Sequence, residues 1–165
     1  MDNEKHRRHR GVGALVALLV VTPLSVMALT TVTVKVTIVS PPPCTINDDR
    51  PIEVDFGEVM TTRVDGNNYR MPVNYTLSCV EAASNAMKLQ VRGSGAGFDG
   101  TVLRTNQTGL GIELRQDDKK LAVNSWLNFT YPKKPELWAV PVKQGGATLS
   151  GGEFTAGATL SVAYQ

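Results

Sequence analysis

Histidine is nearly missing from this chain of 165 residues: there are two, His6 and His9, both close to the amino terminus. Everything after them lacks the imidazole that serves as general base, proton shuttle or zinc ligand near neutral pH. Cysteine is equally scarce, with Cys44 and Cys79 alone, so neither a thiol–histidine nucleophile nor a Cys/His zinc centre can be assembled from the chain beyond His9. Charged residues make up 19% of the chain and aromatic residues 6%, where a globular domain usually carries about a quarter of its residues charged. The formal charge of +2 comes from the leader-like start, where Lys5, Arg7, Arg8 and Arg10 stand against Asp2 and Glu4; removing these from 17 basic and 15 acidic residues leaves 13 of each. A neutral body gives no electrostatic reason to expect nucleic acid or an anionic membrane as partner. Helical periodicity beyond two turns is also lacking after residue 28.

The residues that remain for chemistry read blandly. Asp48-Asp49 and Asp117-Asp118 are expected to be solvated turn carboxylates, because neither pair has the spacing of a calcium loop. Gly93-Ser94-Gly95-Ala96-Gly97 has the composition of a phosphate loop but precedes no helix, and is expected to be a flexible turn. The sequons at Asn74, Asn106 and Asn128 have meaning only in a eukaryotic secretory pathway and read as chance. No catalytic residue, cofactor or metal site is expected, and the chain is not read as an enzyme.

What is present points to export and to strands. After the basic start comes the apolar run Val12–Val21, then Pro23 and Ser25-Val26-Met27-Ala28, which has the form of a signal-peptidase site. Residues 1–28 therefore read as a cleaved signal peptide; an uncleaved anchor is the alternative, since Gly11 to Leu29 is mostly apolar. In an oxidising compartment a Cys44–Cys79 disulfide is the default, with two free thiols as the alternative. Thr, Val, Gly and Pro are abundant, as in strands joined by turns. Ile52–Phe56 alternates and stops at Gly57. Met71, Val73, Tyr75, Leu77 and Cys79 are expected on one face of a single strand, Met87, Leu89 and Val91 on another, and Leu110, Ile112 and Leu114 on a third. Trp126–Tyr131 and Leu137–Val142 are shorter candidates. From Gly151-Gly152 onward Phe154, Ala156, Ala158, Leu160, Val162 and Tyr164 alternate as far as Gln165, so the carboxy-terminal end is expected inside the fold. The pattern predicts an all-β sandwich of antiparallel sheets.

One strand stands apart. Val32, Val34, Val36 and Ile38 alternate with Thr31, Thr33, Lys35 and Thr37, and then Pro41-Pro42-Pro43 intervenes. Three prolines cannot continue a ladder and act as a stiff extended spacer. A detached strand with an apolar stripe is expected to add to an edge or groove of another molecule.

The detached strand, Pro-Pro-Cys-Thr-Ile-Asn at 42–47, Val54-Asp55-Phe56-Gly57 and the ending from Gly151 to Gln165 together resemble the subunits of chaperone–usher fimbriae, most closely the minor tip and adaptor pilins of P-type and type 1 pili. The resemblance implies an incomplete immunoglobulin-like sandwich lacking its last strand. It divides the chain into a signal peptide at 1–28, a donor-strand extension at 29–43 and a pilin domain at 44–165. It also implies partners: a periplasmic chaperone that lends a strand, an outer-membrane usher, and neighbouring subunits on the bacterial surface. Val32, Val34, Val36 and Ile38 would enter a neighbour's groove. Phe154, Ala156, Ala158, Leu160, Val162 and Tyr164 would line this subunit's own groove, with Gly152 and Tyr164 as recurring positions and Gln165 meeting the chaperone. The family's donor strands usually carry a glycine, and none lies between Leu29 and Cys44 here. Two other readings stay open: a stand-alone glycan-binding module or adhesin using Trp126, Tyr131 and Trp138, and a terminator of pilus assembly.

Overall fold

The computed structural model describes residues 42–165, so the segment expected to be a signal peptide, most of the expected donor-strand extension and Val32, Val34, Val36 and Ile38 lie outside the described residues. Within them lie ten strands. In chain order these are β1 (Cys44–Ile46), β2 (Met71–Val73), β3 (Leu77–Cys79), β4 (Ala86–Gly93) and β5 (Leu103–Arg104), then β6 (Leu110–Gln116), β7 (Lys119–Leu121), β8 (Trp126–Thr130), β9 (Leu137–Lys143) and β10 (Ala158–Tyr164). They pair antiparallel throughout. One sheet runs β10-β4-β8, a second runs β2-β9-β6-β5 with β7 on β6, and β1 pairs with β3.

Period-two patterning explains how the two larger sheets meet. Met87, Leu89 and Val91 alternate along β4, and Ile112 and Leu114 along β6; with Leu137 and Ala139 of β9 they form one buried cluster. Met87 and Leu89 have no exposed surface. Burying each such side chain contributes about 1.5–3 kcal/mol, so the facing rows of β4, β6 and β9 hold the sandwich together. The outer face of β9 is covered as well. The segment between Gly57 and Arg70 lies across it, with Val64 buried and the Arg115 guanidinium donating to the Gly66 carbonyl at 2.8 Å.

Two expectations need correction. Residues 71–79 are not a single strand: β2 belongs to the five-stranded sheet and β3 pairs with β1. The inward alternation survives the change of sheet because buried Tyr75 sits at the crossing, its hydroxyl donating to the Pro135 carbonyl at 2.6 Å. The glycine cluster after β4 is a close crossing of chains, not a slack turn. Gly93 pairs with Ala158 while Gly95 bridges to Leu103, and a Cβ at Gly95 would stand 2.6 Å from the Gly100 carbonyl oxygen. β5 and β7 leave no mark in the sequence pattern, since two or three residues are too few to carry an alternation.

Candidate functional site

The carboxy-terminal alternation begins at Phe154, yet β10 begins only at Ala158, because its neighbour β4 ends at Gly93, the residue paired with Ala158. Among the described residues, 154–157 therefore run on without a strand beside them. On the far side of the sandwich Ile52, Val54 and Phe56 turn inward while Pro51, Glu53 and Asp55 face solvent, again without entering a ladder. Alternation without pairing, on two segments at once, marks a place where no strand lies among the described residues. An apolar groove of about 310 Å³ opens there. Its rims are Ile52, Val54 and Phe56 on one side and Phe154, Ala156, Ala158 and Leu160 on the other, and its floor includes Val91, Ile112 and Leu114. The rims meet at one end, where the rings of Phe56 and Phe154 lie 5.8 Å apart. Beyond this contact a second hollow of about 590 Å³ is lined in part by Gly57, Leu149 and Gly152.

Of the residues singled out for the groove, Phe154, Ala156, Ala158 and Leu160 line it together. Gly152 lies in the adjoining hollow. Val162 and Tyr164 carry the same face of β10 onward and pack against the core. The Tyr164 hydroxyl accepts the Ala83 N–H at 2.9 Å, and the Gln165 side-chain amide donates to the carbonyls of Met87 and Phe129. Cys44 and Cys79 form a disulfide, directly opposite one another in the β1–β3 register.

The aromatic residues considered for sugar stacking are not brought together. Trp126 is 45% exposed on β8 with Lys88 Nζ 5.2 Å from its ring, Trp138 is stacked by Arg70 on β9 of the other sheet, and the Tyr131 hydroxyl accepts the Cys79 N–H. Away from the groove, burial in the core pushes the Tyr75 hydroxyl well above the ordinary tyrosine range, keeping it a neutral donor.

Sequence reasoning missed Asn106. Its N–H donates to the Thr155 carbonyl at 3.1 Å and its Oδ1 accepts the Thr155 N–H at 2.7 Å, while Asn106 Nδ2 and Gln107 Nε2 reach the Glu153 carbonyl at 3.4 and 3.2 Å. The groove rim beyond β10 is thus held by a loop. Nothing in the local pattern signals this, because the two partners are far apart in the chain.

Comparison with known proteins gives a consistent result. The profile of the family described as Fimbrial protein matches residues 32–165. The fimbrial-like protein YfcR of Escherichia coli is 43% identical over 136 residues, covering 79% of this chain and 78% of YfcR. The fimbrial adapter PapF of Escherichia coli is 30% identical over 137 residues, covering 75% of this chain and 81% of PapF. Among solved structures, the P pilus adaptor subunit PapF superposes with a TM-score of 0.58 at 30% identity, over 76% of this chain and 98% of that one. The P pilus rod subunit PapA superposes with a TM-score of 0.57 at 21% identity, over 74% of this chain and 99% of that one, a likeness of fold.

Proposed function

Since the chain belongs to the fimbrial protein family, we propose that it is a minor, adaptor-like subunit of a chaperone–usher pilus that joins its neighbours by exchanging strands. A periplasmic chaperone, an outer-membrane usher and neighbouring subunits are its partners, and the fimbria on the cell surface is its destination. It has no catalytic task. The single observation that carries the reading is the apolar groove between the alternating segments 52–56 and 154–160, of which 52–56 and 154–157 pair with no strand among the described residues. A strand laid there would complete the sandwich. From Phe154 to Leu160 the rim is six residue steps, about 20 Å in extended conformation, the same number of steps as from Val32 to Ile38 in the extension. A groove left open by the described residues favours a subunit that accepts a further strand over one that terminates assembly with its groove blocked. Scattered aromatic residues favour it over a stand-alone glycan-binding module.

Urea denaturation of two forms of the domain tests this reading. One form is 44–165 alone; the other carries residues 29–40 fused after Gln165 through a short flexible linker. Burial of four aliphatic side chains contributes roughly 6–12 kcal/mol before ordering costs, so the fusion is expected to gain several kcal/mol over a marginal bare domain. Equal midpoints would mean that the sandwich is already complete and that strand exchange is not how it works.

A further inference from the structure

In an antiparallel ladder the N–H and C=O of successive residues point alternately to the two edges. Gln165 donates its N–H to Ala86 at the start of β4, so along β10 the odd-numbered residues face β4 and the even-numbered ones face the groove. β4 can supply partners only as far as Gly93, opposite Ala158. Thr155, an odd-numbered residue beyond that limit, nevertheless has both backbone groups satisfied, its carbonyl by the Asn106 N–H and its N–H by Asn106 Oδ1. Asn106 reaches this place because the chain that leaves β4 crosses to the other sheet at Gly95, which bridges to Leu103 at the start of β5. Arg104 then donates to the Ser94 carbonyl, and the chain returns to Thr155 two residues later.

We infer that Asn106 is a surrogate rung: one residue, using its backbone N–H and its side-chain oxygen, replaces the stretch of β4 that is missing and holds residues 154–156 as a continuation of β10. The consequence lies on the opposite edge. With Thr155 fixed, the backbone groups of Phe154 and Ala156 stay in phase with those of Ala158 and Leu160, and the acceptor edge offered to an incoming strand is longer than the ladder behind it. Asn106 is therefore a positioning residue for strand addition at the Phe56–Phe154 end of the groove. The inference rests on the strand-exchange reading above.

Residue-resolved amide exchange on the full chain, with and without a synthetic peptide of residues 30–40, tests it. In the wild type Thr155 is expected to exchange slowly before peptide is added, and Phe154 and Ala156 to become protected after it. Asn106→Ala is expected to speed Thr155 exchange and to weaken peptide affinity about five- to tenfold, the effect of one hydrogen bond. Peptide protection at Phe154 and Ala156 is expected to disappear while that at Leu160 persists. Asn106→Asp keeps the oxygen acceptor and is expected to restore protection at Thr155, Phe154 and Ala156. Slow exchange at Ser161 and Ala163, on the β4 side, reports that each variant is folded. If Asn106→Ala leaves the peptide footprint and affinity as in the wild type, or if folded Asn106→Asp fails to restore them, Asn106 merely fastens a loop and the inference is wrong while strand addition stands. If the peptide protects no even-numbered amide even in the wild type, strand addition fails and this inference falls with it.

Discussion

Asp99 shows how much a single exposed side chain can be constrained without belonging to the site. Its carboxylate accepts Lys120 Nζ at 2.8 Å and the Thr101 N–H at 2.9 Å, and Lys120 also stands 3.5 Å from Glu113, which binds Arg115. The Lys120 hydrogen bond, followed by those from Thr101, holds the Asp99 carboxyl well below the usual value of 3.8. Lys120 itself is pulled down by partial burial, but its bonds and charge interactions with Asp99 and Glu113 outweigh this and raise it. The folded-state value of Asp99 is depressed, so its contribution to stability is complete above about pH 4 and is lost as pH falls toward the folded-state value. Carboxyl-carbon NMR is expected to place its midpoint well below that of an ordinary aspartate. In Lys120→Met the midpoint is expected to move toward 3.8; a titration unchanged by that substitution would remove Lys120 as the main cause.

At the scale of elements, the three-residue pair β1 and β3 is too short to persist alone, since even full two-stranded hairpins are marginal in water. The disulfide that joins them spans 35 residues of chain, and the loop-closure model gives about 3–4 kcal/mol for such a crosslink. Replacing Cys44 and Cys79 together by alanine is expected to lower urea stability by roughly that amount, with the first amides to lose protection in β1 and β3; an unchanged midpoint would show that packing alone holds the pair. The elements differ in how readable they are. β4, β6 and the inward row of β10 are plain in the sequence alternation, because each has one face in the core; β9 is harder to read, because it is buried on both faces and Leu137, Ala139, Val140 and Pro141 show no alternation. Residues 71–79 read as one strand because the inward row is unbroken across Tyr75, and a change of sheet partner leaves no trace in period-two patterning. Gly93 and Gly95 look slack in the sequence because composition does not report a close crossing of chains.

Over the whole molecule, the rims of the groove are legible in the sequence and its fastening is not. Ile52–Phe56 and Phe154–Leu160 announce themselves by alternation, and only the structure adds that neither segment 52–56 nor 154–157 has a ladder partner among the described residues. Asn106 is visible in the sequence only as part of a sequon, since its contact with Thr155 joins positions 49 residues apart. The open groove also changes what stability means for this chain. On the strand-exchange reading, the strand that closes the sandwich is a separate chemical species, and folding obeys mass action. Donor at a hundred times its dissociation constant adds about 2.7 kcal/mol. A melting temperature then has no value until the donor concentration is stated, and a cell can hold no more durable copies of the subunit than it has strands to fill them.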